Sequence, residues 1–306
     1  MKEILATMQF NKVILGAGVL AMAAGLSACS SSKTSTTTTP STHAVTTTTL
    51  TPLQKVEHSP AATLSKGSAD VSMSVAGKDV KASFSSLAVT FTTLNLTVAG
   101  PFNFSSKYGT VKLNMTGAGT ISPASLLKGP VTTLFVGGDI YIEPTTGSTI
   151  AALAAGKKYI QLTPTVLGGL LSISPTEVSQ IVSNPAGLLD ILTTPDMTVT
   201  DMGSSTVGGG STEYKVVVDL AQAAAAPGPY QSLFKALDSS GAASQDTLYV
   251  YLNSAGEIVH LSTTITIPAK AGASPIPPLS LGVAFSNFGV SVPPVTAPPA
   301  SEYATA

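Results

Sequence analysis

A serine three residues ahead of a lysine is the spacing at which a helix would hold a hydroxyl nucleophile against an amine base, and it occurs at Ser30–Lys33, Ser125–Lys128 and Ser232–Lys235. With 37 Ser and 15 Lys in the chain, chance supplies about two such pairs, and neither Ser-Asp-Asn nor Lys-Thr-Gly accompanies them. No Gly-x-Ser-x-Gly occurs. Of the three histidines, His43 and His58 lie in or beside a Ser/Thr-rich stretch. Only His260 falls on a predicted strand, between Val259 and Leu261, where a structural role is expected rather than a base. Zinc needs three or four ligands at defined spacing, and none assemble. Val207-Gly208-Gly209-Gly210-Ser211-Thr212 lacks the lysine that reaches phosphate, so it reads as a hairpin loop. Asp196 and Asp201 show no calcium-loop spacing. The residues therefore support no enzyme and call for no cofactor or metal.

Composition narrows the partners. The 306 residues carry only 10% charged side chains, against about 25% in a common soluble chain. All fifteen positive charges are Lys, which removes the bidentate phosphate recognition that Arg provides. The formal charge of −1 gives no field for an anionic polymer, so nucleic acid is excluded as a partner. A single Cys rules out a disulfide scaffold.

That one cysteine carries the strongest signal. Val13 to Leu26 is an apolar run after Lys12, shorter than the roughly 20 residues of a membrane span. It ends in small residues, as a processed export signal does. Met8 followed by Gln9-Phe10-Asn11-Lys12 makes a more compact signal than Met1, which marks Met8 as the expected start. Leu26-Ser27-Ala28-Cys29 resembles the lipobox of bacterial lipoproteins. The resemblance implies cleavage after residue 28 and a diacylglyceryl group on Cys29. Two acyl chains hold stably where one holds marginally, so the membrane is the first partner. The expected place is the outer face of the cytoplasmic membrane, in the cell envelope.

Residues 29–66 are rich in Ser and Thr with little to bury, which predicts a disordered tether. From Ser68 the pattern changes to period two. Val71, Met73 and Val75, then Val80, Ala82 and Phe84, flank Ala76-Gly77-Lys78-Asp79, which predicts a hairpin. Further strands are expected at Val89 to Val98, Phe102 to Phe104, Tyr108 to Met115, Thr133 to Val136, Ile140 to Glu143 and Lys158 to Leu162. Apolar residues alternate with Ser, Thr, Lys and Asn, so one face is buried and the other wet.

The middle reads as helical. Ser174-Pro175-Thr176-Glu177 has a capping Ser, Pro at the first turn and Glu placed for a capping box, with Val178, Ile181 and Val182 on one stripe. Asn184-Pro185 restarts a short helix carrying Leu188, Leu189 and Leu192. That stripe is either ordinary core or a ligand-facing wall. Strands resume from Thr198 to Met202, Glu213 to Leu220, Thr247 to Leu252, Glu257 to Ile267 and Leu279 to Phe288, with a third helix near Tyr230 to Leu237. Many strands with helices bunched in the middle predict an α+β domain over residues 67–292, followed by a Pro-rich tail over 293–306.

Taken in order, several segments carry a resemblance: Asn184-Pro185-Ala186-Gly187-Leu188-Leu189-Asp190, Glu213-Tyr214-Lys215-Val216, Leu248-Tyr249-Val250-Tyr251, Gly256-Glu257-Ile258-Val259 and Phe285-Ser286-Asn287-Phe288-Gly289-Val290-Ser291-Val292. With the lipobox and tether they resemble the mycobacterial LppX, LprA, LprF and LprG lipoproteins. The resemblance implies a LolA-like half-barrel, a curved antiparallel sheet with helices over its concave face and an apolar cavity between. It also implies that an envelope lipid is bound and carried across the envelope, with a membrane transporter as a further partner. The chain departs from that family in having no Trp, Phe288 standing where members commonly carry one.

Few large aromatics are available to fill the space between sheet and helices, which favours such a cavity. The expected wall is Val178, Ile181, Val182, Leu188, Leu189, Leu192, Val111, Leu113 and Met115. The expected ligand is a (glyco)lipid or acylglycerol. The competing expectation is a solid-cored structural or partner-binding module of the envelope.

Overall fold

The computed structural model describes residues 50–84, 87–163, 189, 191–193, 197–225, 231, 235, 245–265 and 278–305. Cys29 and the expected export signal before it lie outside them, as do Val178, Ile181, Val182 and Leu188. Among the described residues no helix is long and apolar enough to cross a membrane.

Period-two alternation makes the strands. They are β1 (Ser68–Phe84), β2 (Leu87–Asn103), β3 (Tyr108–Gly119), β4 (Val131–Val136), β5 (Asp139–Glu143), β6 (Tyr159–Leu162), β7 (Thr198–Ser205), β8 (Ser211–Asp219), β9 (Gln245–Leu252), β10 (Ile258–Ile265), β11 (Leu279–Ser286) and β12 (Tyr303–Thr305). All twelve join one sheet in the order β12-β6-β5-β4-β3-β2-β1-β11-β10-β9-β8-β7. Neighbours are antiparallel except β12, which lies parallel to β6 and makes the sheet mixed.

The half-barrel expectation is corrected here. Closing a sheet requires its end strands to tilt and meet, whereas β7 and β12 stand at opposite ends of one open order and the sheet is neither strongly curled nor closed. The fold is α+β, with a mixed open sheet and several helices rather than helices over a concave half-barrel.

Three local expectations also change. Ala76-Gly77-Lys78-Asp79 is not a hairpin turn: β1 runs through it, Lys78 pairing Thr93 and Val80 pairing Phe91, with Asp79 taking a left-handed φ of 49° inside the strand. The tether does not reach residue 66, because helix α1 (Pro52–Leu64) lies within the stretch assigned to it. Nor is residue range 293–306 only a tail, since it ends in β12.

Helix α1 begins with a capping box. The Gln54 N–H donates to Thr51 Oγ1 at 3.2 Å and the Thr51 N–H to Gln54 Oε1 at 3.0 Å, with Pro52 in the first turn. It packs against β7, β9 and β10 and the 3-10 turn Ile191–Thr193. Its far end is pinned to β10. The Ile258 N–H donates to buried Thr63 Oγ1 at 2.8 Å, and Lys66 Nζ stands 2.6 Å from Glu257 Oε1. On the other half of the sheet, the short helix α2 (Pro123–Leu127) packs against β3 and the 3-10 helix Thr149–Ala154. Helix α3 (Leu220–Ala225) follows β8.

Candidate functional site

Register brings the apolar residues of successive strands into rows on one face. Val199 pairs Val216, Tyr214 pairs Val250 and Leu261, Val283, Met73, Val98 and Leu113 follow one another across β10, β11, β1, β2 and β3. A parallel row runs Leu281, Val75, Leu96 and Met115. Beyond them lie Val131 and Phe135 of β4, Ile140 and Ile142 of β5 and Ile160 of β6. The opposite face carries Ser72, Ser74, Asn95, Thr97 and Lys112, the wet half of the alternation. Most residues of the apolar rows belong to one buried cluster.

Five members of the expected wall are described. Val111 and Leu113 are buried in that cluster and Met115 packs against it partly buried. Leu189 is buried too, and Leu192 is fully so at 0% exposure, in the 3-10 turn against which α1 packs. Helix α1 and that turn thus lie on the β7–β10 half and α2 on the β3 half. Between them β1, β2 and β11 present Met73, Val75, Leu94, Leu96 and Leu281.

Two polar groups of this face escaped the sequence reading. Thr133 of β4 sits at 0% exposure between Val111 and Ile142 in register. Asp246 of β9 pairs Val218, on the same face at the end of the sheet where α3 begins. Its Oδ1 accepts from the Thr247 N–H at 2.8 Å and the Thr263 hydroxyl at 3.1 Å. Burial pushes its carboxyl above the ordinary range, the two hydrogen bonds offsetting this in part. Strand parity places both residues, but nothing in the local sequence marks the partners of Asp246 or shows that Thr133 Oγ1 has none among the described residues.

The chemical candidates separate. Ser125 shares a 2.9 Å hydrogen bond with Ser122, whereas Lys128 Nζ lies over Gly147, 2.7 Å from where a Cβ would stand. Lys235 is exposed; Ser232 and the Ser30–Lys33 pair lie outside the described residues. His260, on the wet face, packs against Tyr251 with ring centroids 5.4 Å apart and planes tilted by 58°, and burial lowers its pKa. His58 is exposed on α1. Of residues 207–212, Val207 to Gly210 lie in the expected β7–β8 turn while Ser211 and Thr212 already pair in β8; Gly208 has φ 66° and a side chain there would meet Val259 at 2.6 Å. Asp201 Oδ1 accepts from the Gly203 N–H at 2.9 Å, a turn contact. Among the described residues no three His, Cys, Asp or Glu stand together to hold a metal.

No family model matches the chain and no curated protein does. Among solved structures it is similar to the Mycobacterium tuberculosis lipoprotein LppX, at 17% identity over 79% of this chain and 97% of that one, with a TM-score of 0.42. It is also similar to a LolA superfamily protein from Nitrosomonas europaea, at 10% identity over 80% of this chain and 96% of that one, with a TM-score of 0.25. These similarities are ones of extent; what the apolar face can bind follows from its own residues.

Proposed function

We propose that the chain is a non-catalytic envelope lipoprotein that shelters the acyl chains of a (glyco)lipid or acylglycerol in an apolar cavity over the sheet and carries that lipid across the envelope. Cys29, bearing the diacylglyceryl group, holds it to the outer face of the cytoplasmic membrane. The observation that carries the reading is the joining, in one chain, of Leu26-Ser27-Ala28-Cys29 to a sheet whose apolar rows continue from β7 to β6. The proposed wall is Val111, Leu113 and Met115 of β3 with the segment bearing Val178, Ile181, Val182, Leu188, Leu189 and Leu192.

The energetics are sufficient without any specific polar contact. A dozen methylenes removed from water contribute about 10 kcal/mol, so capture is easy and release requires the covering segments to move. A membrane transporter that supplies or receives the lipid is the partner this calls for. Because α1 starts at Pro52, the chain from Cys29 to Thr51 can reach at most about 75 Å. The domain therefore works close to the membrane that anchors it.

Native mass spectrometry of gently purified protein, with extraction and analysis of its lipids, tests this. A bound acyl lipid and saturable binding of a fluorescent fatty acid are the expected results. Protein from a lipid-rich host that carries no lipid and binds no acyl probe would refute it.

A second reading draws on the burial itself. Leu192 at 0% exposure and Val111 and Leu113 at 4% are packed as a solid core packs. On that reading the domain is an anchored structural or partner-binding module, and the same probes bind nowhere.

A further inference from the structure

Three buried hydroxyl oxygens have no hydrogen-bond partner among the described residues: Thr133 Oγ1, Ser148 Oγ and Ser211 Oγ. Ser148 lies outside the sheet between exposed Gly147 and Thr149, and Ser211 is half-buried beside exposed Gly210, so both sit next to solvent-exposed backbone. Thr133 differs. It stands on the apolar face with Val131 and Phe135 two residues away on its own strand, and Val111 and Ile142 opposite it on the strands either side. Its exposure is 0%. A valine would fill the same volume with no polar atom, so a hydroxyl there costs stability unless it acquires a partner.

Resting on the acyl-binding reading above, we infer that Thr133 is the polar anchor of the site, its hydroxyl donating to the ester carbonyl of a bound acylglycerol while the chain lies along Val111, Leu113 and Met115. Apolar walls accept any acyl chain, and it is a small number of placed polar groups that sets orientation and class. The ester carbonyl is the acceptor at the junction of chain and head, and a donor surrounded by aliphatic side chains reads that atom rather than the glycerol hydroxyls. A site built around such a donor discriminates against an analogue lacking the acceptor, because the hydroxyl is then left unpaired again. Leu126 and Leu127, buried on α2 beside β3, are the apolar cover that such a ligand displaces.

The test compares monopalmitoylglycerol with its ether counterpart 1-O-hexadecylglycerol, each displacing cis-parinaric acid from the purified full chain. The two lipids differ only in the carbonyl. Wild type is expected to bind the ester about five- to tenfold more tightly. Thr133→Val is expected to abolish that preference while leaving ether binding and the melting temperature at least as high as in wild type, and Thr133→Ser to retain it. An ester preference that survives in Thr133→Val, or a wild type that does not distinguish the two lipids, overturns the anchor and leaves acyl binding standing. If neither lipid nor parinaric acid binds wild type, the acyl-binding reading fails and takes the anchor with it.

Discussion

The Ser59 hydroxyl donates to the Val56 carbonyl at 2.7 Å, inside α1 and fully buried. That carbonyl is the one residue 60 would serve in a regular helix, but residue 60 is Pro and has no N–H. Ser59 therefore supplies the hydrogen bond that its neighbour withholds, which lets a proline sit mid-helix on the face packed against the sheet. Ser59→Ala should strand a buried acceptor and cost about 1–3 kcal/mol in urea unfolding. In a Pro60→Ala background, where the N–H returns, the same change should cost well under half as much. Equal costs in the two backgrounds would show that the hydroxyl does not repair the proline.

Glu257 closes the other end of α1. Burial pushes its carboxyl up, but the Lys66 ammonium and the Asn253 amide, 2.7 Å from Oε2, outweigh it and hold the pKa below the ordinary value. A folded pKa below the unfolded one contributes stability above the unfolded value and loses it as pH falls through the folded one. Glu257→Gln should melt below wild type at pH 7, and the gap should close below about pH 4. A gap that persists unchanged in acid would assign the loss to packing instead of charge.

Asp246 predicts the opposite slope. Burial raises its pKa despite the Thr263 and Thr247 hydrogen bonds, so its contribution is favourable below the unfolded value and is lost as pH rises through the folded one. Asn keeps an acceptor for both donors and carries no charge. Asp246→Asn should raise the melting temperature at pH 7 and lose that advantage near pH 3, where the wild-type carboxyl is protonated in both states. A variant less stable at every pH would mean that the carboxylate makes a contact an amide does not replace.

Alternation made most of the sheet legible before any coordinates. Val71, Met73 and Val75, Val111 and Leu113, and Phe135 all fall on the face their parity assigns, and the strand expected from Thr133 begins two residues earlier at Val131. The same parity places Thr133 inside, but whether its hydroxyl finds a partner depends on strands that local sequence does not describe. Ala76-Gly77-Lys78-Asp79 misleads because residues that suit a turn also suit a left-handed φ within a long strand, as at Asp79. Helix α1 was hidden by its own chemistry. Its buried face is Val56, Ser59, Pro60 and Thr63, too polar for hydrophobic periodicity to register, although Thr51 and Gln54 spell out the capping box. The sheet's openness was illegible for another reason. Closure depends on whether the end strands meet, which no local pattern states.

Strand β12 escaped notice because its partner lies far away in the sequence, and it carries the last prediction. Tyr303, Ala304 and Thr305 pair Tyr159, Ile160 and Gln161 of β6, and the Thr305 hydroxyl donates to Gln161 Oε1 at 3.0 Å. The same Gln161 donates through Nε2 to Asp139 Oδ2 at 3.1 Å and to the Tyr141 hydroxyl oxygen at 3.3 Å, while the Tyr141 and Tyr303 rings meet edge to face at 5.4 Å. Lys157 Nζ adds a bond to the Ser301 carbonyl at 3.0 Å. Three residues thus cover the backbone of β6, which would otherwise be a template for another strand, and leave only a three-residue strand at that end of the sheet. Deleting residues 300–306 should cost about 1–3 kcal/mol, a few net hydrogen bonds. It should speed amide exchange in β6 while leaving β1 and β2 protected, and it should promote association on size-exclusion chromatography. If β6 exchanges as slowly without the last residues as with them, the edge is guarded by its own shortness and charge, and Lys157 and Lys158 rather than β12 keep it from pairing.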